Sequence, residues 1–355
     1  MNTHTIDTTT PVVTADAYDT TAFFADPDAI AVVTNATVPD AVPLPGPGAP
    51  TSELLAAARE AGRLAVPAPF AETALVARPL LRRAGLPVPD GPLSHAVAPE
   101  LTIRHAHPSA GAVGSAGSAG QDDALLVTGT LRRVPWGREA EAVVVAALAP
   151  FGPVLFTLDP GRAVLAPGAN LAGEPRDDLH LAGVEIPAER VRRIPRELLE
   201  EAGLRAALAR AALIAGAAGC CVELTVAHTG ARTQFGRPLS RFQAVKQEQA
   251  KLIEEAALVT ATVQAAAAPL DAGGAAARFA VAAAKTQASA SAAEIARIAH
   301  QLHGAIGITT LSPLHLATSR LWSWRDEDGD ETHWATRLAG TVTADTLWPA
   351  LTATP

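Results

Sequence analysis

Residues Ala227–Gln243 read AHTGARTQFGRPLSRFQ and connect two long, alanine-rich segments. A glycine and a proline inside this stretch interrupt a helix, so the sequence predicts a turn between two helices. Arg232 carries a permanently charged fork of donors suited to a phosphate. Phe235 offers an aromatic face on which a purine can stack, and Gln243 offers a two-way hydrogen-bonding amide on the first turn of the next helix. This combination is unusual for a simple connection between helices.

The segments around this turn have the periodicity of helices in a bundle. After the turn, apolar or amide side chains recur at steps of three and four, which predicts one face packed against other helices. These residues are Phe242, Val245, Gln249, Leu252, Ala256 and Val259. Ile295, Ile298 and Leu302 continue the pattern in the following segment. We therefore predict a C-terminal helical bundle over residues 196–355.

Two motifs carry a resemblance to a known family. The residues from Arg232 to Gln243 fit the pattern R-x-x-F-G-x-P-L-x-x-F-Q, and Gln301–Thr309 reads QLHGAIGIT. Both resemble signature segments of the C-terminal domain of acyl-CoA dehydrogenases, the second being that family's Q-x-x-G-G-x-G-x-T. Ala305 stands where the family pattern has its second glycine. The resemblance implies an α+β fold with an N-terminal helical domain, a small middle β-barrel and a C-terminal four-helix bundle.

The preceding sequence fits that architecture in reduced form. Short β-rich runs separated by Gly, Pro and Asp predict a small antiparallel barrel over residues 96–195. These runs are 125–127, 142–148, 154–158, 163–165 and 180–187. Residues 51–95 predict a shortened helical domain that opens at Thr51 with a Ser or Thr cap. Residues 1–50 are Thr-rich and then Pro-rich, which predicts a poorly ordered segment, and Ala106–Gly120 predicts a mobile loop.

The resemblance also implies a cofactor and roles for individual residues. Members of the family bind FAD and oxidise acyl-CoA thioesters to the α,β-enoyl form, and the two C-terminal motifs of one subunit hold the FAD of its neighbour. By motif, Arg232 contacts the pyrophosphate, Phe235 lies on the adenine side, and Gln234 is a further cofactor-binding residue. Gln243 bonds the dinucleotide. The remaining cofactor-binding residues are Gln301, Gly304 and Ala305, where the backbone approaches the cofactor closely.

The catalytic base is harder to place by motif. The usual family base is a Glu before a Gly, and counting on from Gly307 reaches Asp328-Gly329. Asp328 keeps the carboxylate, but its oxygens lie back by on the order of 1 Å because one methylene is missing. Its neighbours, Arg325–Glu331, read as a solvated acidic turn. The alternative family base position corresponds to Ala206, which carries no acid.

The flavin-holding motifs of the middle domain are missing. The sequence has no T-E-P-x-x-G-S-D segment, and Val134–Gly137 stands where a K-x-W/Y-I-T-N strand is expected, so Trp136 is predicted to be packed. The groups that serve a neighbour's FAD are kept, while those that serve the chain's own site are eroded. This pattern resembles the smaller subunit of two-chain acyl-CoA dehydrogenases. In that case one group of residues is predicted to pack or to form an interface: Arg320, Trp322, Trp324, Arg325 and Trp334.

Three functional readings therefore stay open. The first is a subunit that completes the FAD site of a full-length catalytic partner in a heterotetramer. The second is a self-sufficient homodimer or homotetramer that uses Asp328 as its base. The third is a flavin-free scaffold with the same fold. The acyl thioester is also open, with fatty-acid and steroid side-chain metabolism both compatible with the resemblance.

Composition limits the other possibilities. The chain has 355 residues and a net charge of −8 without a basic stripe, so we expect no nucleic-acid partner. Its only cysteines, Cys220 and Cys221, are adjacent and predict no disulfide framework and no metal site. The start has no signal-peptide pattern, and charged residues interrupt every apolar run. We therefore expect a cytoplasmic protein without a membrane partner.

Overall fold

The computed structural model describes residues 46, 48–98, 100–106 and 123–341. The poorly ordered segment predicted over residues 1–50 lies almost wholly outside the described residues. The same holds for the loop predicted over Ala106–Gly120, of which only Ala106 is described. The division into three domains predicted from the sequence remains a prediction, and the elements are given below in chain order.

The described chain begins with three short helical segments. They are α1 (Thr51–Arg63), a π-helix (Glu72–Ala77) and α2 (Arg78–Ala84), which follows the π-helix directly. The first helix begins at Thr51 as predicted, but its N-cap residue is Pro50, which has no side-chain acceptor. The Asp271 carboxylate instead accepts hydrogen bonds from the Thr51 nitrogen, at 3.4 Å, and from the Thr51 hydroxyl. Gly85 ends α2 in the left-handed conformation at a φ of 65°.

Eight strands then form two four-stranded sheets. The strands are β1 (Leu93–Ala98), β2 (Thr102–His105), β3 (Leu125–Pro135), β4 (Ala142–Ala149), β5 (Gly152–Leu158), β6 (Val164–Ala166), β7 (Arg176–Ile186) and β8 (Val191–Arg193). One sheet has the order β1-β4-β5-β8, and the other has the order β2-β3-β7-β6. All strand pairs are antiparallel except β1 with β4, which is parallel. The strands predicted from the sequence are present, and the β1–β4 pair departs from the purely antiparallel prediction.

Strand β4 explains how the sheets meet the helices. Its alternate residues Val143 and Val145 belong to the core between the two sheets, whereas Val144 and Ala146 belong to the helical core on the other side. Because both faces are covered, the strand is an almost unbroken apolar run instead of an alternating one. One sheet is therefore sandwiched between the other sheet and the helices.

The C-terminal part is helical. Its helices are α3 (Arg196–Ala231), α4 (Gln243–Ala265), α5 (Ala267–Ala272), α6 (Gly274–His303), α7 (Leu314–Trp324) and α8 (Glu331–Thr341). Leu252, Ala256 and Val259 are buried as the periodicity predicts, and so are Ile295 and Ile298. Helices α3, α4 and α6 pack against one another, and α7 and α8 cover α6, which gives the predicted bundle.

Helix α3 lies at the centre of the fold. By length and composition it could cross a bilayer, but 72% of its most apolar window is buried inside the protein. Helix α1 approaches it so closely that an added Cβ at Gly216 would overlap the Arg59 carbonyl oxygen. An added Cβ at Gly62 would likewise overlap the Leu213 carbonyl oxygen. The two backbones are therefore in contact through glycines.

Candidate functional site

The turn after α3 is a small β-hairpin that projects an aromatic ring. Strands β9 (Thr233–Gln234) and β10 (Arg237–Pro238) pair across Phe235 and Gly236, whose φ angles are 52° and 77°. Two central residues with positive φ are typical of a type I′ turn. The Phe235 side chain is 89% exposed, and its ring meets the Phe242 ring edge-on at 6.1 Å. The hairpin therefore presents Phe235 to the solvent.

The predicted polar residues of the first motif surround this hairpin. Arg232 is the C-terminal cap of α3, and its backbone oxygen accepts a hydrogen bond of 2.9 Å from the Leu239 nitrogen. The Arg232 side chain is exposed and has no ion-pair partner within the described ranges. Gln234 on β9 and Gln243 at the start of α4 are exposed too. All of these groups are open to a ligand or a neighbouring chain.

The second motif forms the end of α6. Gln301 is exposed on the last turn, and the helix ends at Gly304, which has a φ of 66°. A short 3₁₀ segment, Gly304–Ile308, follows. Ala305 is exposed within it and is not among the residues with positive φ, so alanine fits this backbone without strain. Ile308 is 78% exposed, which adds an apolar side chain to the surface.

Packing between α3 and α6 brings the two motifs together. The imidazole rings of His228 on α3 and His303 on α6 stack with their centroids 4.6 Å apart. Nearby, Gln249 Nε2 on α4 donates a 2.7 Å hydrogen bond to Thr229 Oγ1. Burial lowers the pKa of both histidines, and their proximity lowers that of His228 further. The ring stack fixes the end of α3, where the first motif starts, beside the end of α6.

A cavity of about 950 Å³ lies apart from these motifs, between strands β1 and β3 and the helical bundle. Its wall includes Asp328, the candidate base, and Ala206, the alternative position without an acid. None of the seven predicted cofactor-contacting residues lines it. The structure therefore separates the exposed motif residues from the cavity that holds Asp328.

Asp328 is held in a network of ion pairs. Its Oδ2 lies 3.0 Å from Arg210 Nε, and its Oδ1 lies 3.4 Å from His95 Nε2. The Asp328 side chain is only 22% exposed. Burial raises the pKa of this carboxyl, but the Arg210 guanidinium and His95 outweigh burial and hold the pKa well below its usual range. Asp328 is therefore a weakly basic carboxylate.

The acidic turn predicted around Asp328 is only partly solvated. Glu327 receives two hydrogen bonds of 2.8 Å from Arg176, and its Oε2 lies 3.0 Å from Arg210 Nε. Arg210 also donates a 2.7 Å hydrogen bond to Glu72 on the π-helix. The prediction of a solvated turn was wrong for Glu327 and Asp328, because cations from β7 and α3 lie beneath them and compensate their burial.

Buried polar groups also fix the chain just before Asp328. Lys285 Nζ donates hydrogen bonds to the Arg325 oxygen at 2.8 Å, to the Trp324 oxygen at 3.3 Å and to Ser289 Oγ at 2.9 Å. The first two acceptors are carbonyls at the end of α7, where a cation is favourable. Burial lowers the pKa of Lys285 to about 8, although Asp328 acts in the opposite direction.

Glu174, which lies just before β7, connects the sheets to α7. This buried carboxylate accepts hydrogen bonds from Arg320 Nε at 3.0 Å and from Trp324 Nε1 at 2.9 Å. Burial raises the pKa of Glu174, but Arg320 and Arg176 outweigh it and lower the pKa overall. Trp324 and Trp334 are buried, whereas Trp322 is 41% exposed beside the Arg325 guanidinium. Within one chain, Arg320, Trp324 and Trp334 thus have packing roles.

Trp136 is also packed, as predicted. It is buried after β3 with a φ of 54°, and its backbone nitrogen donates to the Pro175 oxygen at 3.0 Å. Sequence reasoning missed His95, Glu72, Arg176 and Arg210. The available signal was Arg210, a charged residue within the alanine-rich apolar centre of α3, which burial would force to find acidic partners.

Two sheets packed on a helical bundle, with a signature hairpin between the first two long helices, define an acyl-CoA dehydrogenase fold. Residues 202–325 match the family model described as acyl-CoA dehydrogenase, C-terminal domain. Over residues 202–325 the chain thus carries a domain of the acyl-CoA dehydrogenase type.

Among curated relatives, the chain is similar to the acyl-CoA dehydrogenase IpdE2 of Mycobacterium tuberculosis. The two are 40% identical over 116 residues, which cover 32% of this chain and 34% of the relative. The match therefore spans about a third of that relative's length.

Solved structures support the fold over most of the chain. The ChsE4–ChsE5 complex from Mycobacterium tuberculosis matches with a TM-score of 0.72 and 23% identity, covering 87% of this chain and 83% of that chain. The Tcur3481–Tcur3483 steroid acyl-CoA dehydrogenase matches with a TM-score of 0.70 and 24% identity, covering 82% of this chain and 80% of that chain. At these identities the likeness establishes the fold alone.

Proposed function

We propose that this chain is an acyl-CoA dehydrogenase subunit that completes the FAD site of a catalytic partner and so supports α,β-desaturation of an acyl thioester. One observation carries the proposal. The seven motif residues are exposed on one side of the bundle, and none of them lines the cavity that contains Asp328. Groups arranged in this way are available to a second chain instead of to the chain's own cavity.

The exposed groups have the chemistry that a dinucleotide requires. Arg232 offers an unengaged guanidinium for a pyrophosphate, and Phe235 offers a ring held out by the hairpin. At Gly304, an added Cβ would meet nothing within 4 Å, so the backbone is accessible to a close approach. FAD, when bound, supplies the hydride acceptor of the reaction. The residues of this chain would bind and orient it.

The state of Asp328 favours a base on the partner. A general base needs a pKa near the operating pH, and pairing with Arg210 and His95 moves the pKa of Asp328 in the opposite direction. At the alternative position, Ala206 has only a methyl group. Two similar structures, ChsE4–ChsE5 and Tcur3481–Tcur3483, are named as paired chains, which supports a heteromeric assembly.

One observation favours the alternative of a self-sufficient homo-oligomer. Asp328 lines the cavity, as a base in the chain's own active site would. In that case the hairpin of one copy would complete the FAD site of another copy, and Asp328 would take the α-proton of the thioester.

The FAD content of the purified chain and of its complex separates these alternatives. We expect the chain alone to be colourless, and a complex with a full-length acyl-CoA dehydrogenase subunit from the same genome to contain FAD. Arg232→Ala and Phe235→Ala should lower the FAD content of that complex. Asp328→Asn and the surface control Arg190→Ala should leave it unchanged.

A different result would reject the partner role. If the isolated chain held roughly one FAD per chain, as a complete flavoprotein does, and an acyl-CoA bleached it, the self-sufficient enzyme would be correct. Loss of that bleaching in Asp328→Asn would then identify Asp328 as the base.

A further inference from the structure

The hairpin after α3 and the first turn of α4 carry a cluster of cations. The sequence between Glu223 and Glu248 contains no acidic residue, although the chain as a whole has a net charge of −8. The cations of this stretch are exposed, and within the described part of the chain none of their side chains has an ion-pair partner. These hairpin cations are Arg232, Arg237, Arg241 and Lys246.

The acids that flank the cluster do not compensate it. Glu223 Oε2 lies 3.2 Å from Arg63 Nη1 on α1. Glu248 lies 3.2 Å from Lys251 Nζ and 3.5 Å from Arg297 Nη2. Each flanking carboxylate thus has cations of its own elsewhere, and the hairpin presents an uncompensated positive surface.

Contacts around Phe242 hold the cluster in place. The guanidinium carbon of Arg237 lies 4.1 Å from the centre of the Phe242 ring, and the Phe235 ring meets the same ring edge-on. A cation above an aromatic face is attracted to it. Arg241 precedes this phenylalanine in a 3₁₀ turn, and the Lys246 nitrogen donates to the Phe242 oxygen at 3.1 Å. The charges therefore project from a hairpin of fixed geometry.

The cluster holds more positive charge than FAD alone requires. A dinucleotide presents one pyrophosphate, which a single guanidinium fork can bind, and Arg232 has that role in the function proposed above. Arg241 and Lys246 lie beyond the hairpin, on the turn into α4 and on α4 itself. These two cations need another source of negative charge, and the carboxylates of a docked protein supply it.

Exposed apolar side chains accompany the charges. Ile308 and Leu311, in the segment after α6, are 78% and 80% exposed. An added Cβ at Gly307 would lie 2.6 Å from His303 Cβ, so this segment lies directly against the imidazole stack that joins α6 to the end of α3. Aliphatic side chains offer no face on which a base can stack, but a protein surface can bury them. Apolar groups beside a charged rim favour a protein partner over a nucleic acid.

We propose that this surface docks on an acidic surface of the catalytic partner, whose carboxylates pair with Arg241 and Lys246 while Ile308 and Leu311 are buried beside them. The inference rests on the proposed function and adds the chemistry of the partner's surface. A second copy of this chain is a poorer occupant, because it lacks the flavin-holding motifs that the hairpin would complete. Charges at the rim of an interface mainly accelerate association, and salt screens this acceleration.

The association kinetics of the full chain with an FAD-loaded, full-length acyl-CoA dehydrogenase subunit from the same genome test this by surface plasmon resonance. We expect the association rate constant to be at least about tenfold higher at about 50 mM NaCl than at about 500 mM. Arg241→Gln/Lys246→Gln should lower it about tenfold at the lower salt concentration and leave it unchanged at the higher one. The FAD content of the assembled complex should not change. Neither side chain has a hydrogen bond or an ion pair within the described residues, so the melting temperature should not change either.

The apolar residues should affect the other rate constant. Ile308→Ser/Leu311→Ser should raise the dissociation rate constant about tenfold, because buried apolar groups act mainly after docking. Arg82→Gln/Arg190→Gln removes the same charge from exposed positions on α2 and just before β8. As the matched control, it should change neither rate constant.

Several outcomes would overturn the inference. They are association that does not depend on salt, unchanged association in Arg241→Gln/Lys246→Gln, or equal slowing in the control. Normal association with a loss of FAD would show that these cations serve the cofactor. Self-association of the native chain that the variant abolishes, or tighter binding of a single-stranded oligonucleotide than of the subunit, would replace the catalytic partner by another occupant. The absence of any complex would overturn the proposed function as well, whereas an FAD-containing complex that is insensitive to these substitutions would overturn this inference alone.

Discussion

Replacement of Arg210 by methionine tests whether the buried ion network stabilises the fold. Arg210 is 1% exposed and is within 3.0 Å of three carboxylates, those of Glu72, Glu327 and Asp328. Methionine keeps much of the side-chain volume and removes the charge. Glu327 would keep its bidentate Arg176, whereas Glu72 would lose its described partner and Asp328 would keep only His95.

The magnitude follows from the burial of these carboxylates. Removing one member of a buried ion pair costs about 3–5 kcal/mol, because an uncompensated charge is left inside the protein. For a unit of this size about 1 kcal/mol corresponds to roughly 2–4 °C, so we expect the melting temperature to fall by about 6–20 °C at pH 7. Arg63→Met is the control. It breaks surface pairs with Glu60 and Glu223 and should cost less than about 1 kcal/mol.

The pH dependence separates a lost charge from a lost contact. In the native chain the pKa of Asp328 is lowered, so the ionised carboxylate stabilises the fold at every pH above the ordinary pKa of an aspartate. This stabilisation is lost as the pH falls through the lowered pKa of the folded chain. In the Arg210→Met variant Asp328 stays buried without this cation, and burial raises its pKa. The variant should then be more stable at pH 5 than at pH 8, and Asp328→Asn in the same background should recover part of the loss. A loss no larger than that of Arg63→Met, or one independent of pH between 5 and 8, would refute the reasoning.

Three further predictions concern single side chains. Gly216→Ala should destabilise the chain by more than about 2 kcal/mol in urea unfolding, because its Cβ would overlap the Arg59 oxygen; Gly219→Ala, in open space on the same helix, should be neutral or stabilising. Because burial lowers the pKa of Lys285 to about 8, the charged amine destabilises the fold below that pH. The destabilisation decreases as the pH rises to about 10.4, the ordinary pKa of lysine. The melting temperature of the native chain should therefore rise relative to Lys285→Met between pH 7.5 and 9.5, and a constant difference would contradict this. Phe235→Gly should stabilise the isolated chain by roughly 0.5 kcal/mol, because glycine accepts a φ of 52°, while it lowers the FAD content of the complex; a lower melting temperature would count against the strained turn.

The sequence alone predicted those features that depend on residues close together in the chain. Helical spacing predicted the buried positions Leu252, Ala256 and Val259, and apolar runs predicted the strands. The turn at residues 227–243 was predicted because glycine and proline act locally. The resemblance to acyl-CoA dehydrogenases rested on the same local motifs and is confirmed for residues 202–325.

The ion network could not be predicted in this way. Glu72 and Arg210 are 138 positions apart, and His95 and Asp328 are 233 positions apart, so only the packed fold brings them together. Acidic residues in a short turn are usually solvated, and nothing near Asp328 in the sequence indicates the cations beneath it. The cap predicted at Thr51 was wrong as well, since the N-cap residue is Pro50 and the Thr51 hydroxyl has a partner, Asp271, 220 positions away.

The strained turn at Phe235 and the ion pair at Asp328 both fit a chain that serves a partner's cofactor better than one with its own base. An exposed phenylalanine in the left-handed region costs about 1–2 kcal/mol and contributes little to the stability of the isolated chain. A buried carboxylate paired with Arg210 stabilises the fold but is a poor proton acceptor. A self-sufficient enzyme would need Asp328 to be a better proton acceptor than its pairing with Arg210 allows. A chain that orients a partner's cofactor needs only the exposed Phe235. The backbone strain thus lies at Phe235, where the exposed ring would serve a partner's cofactor. The stabilising ion pair lies at Asp328, where it would weaken a base of the chain's own.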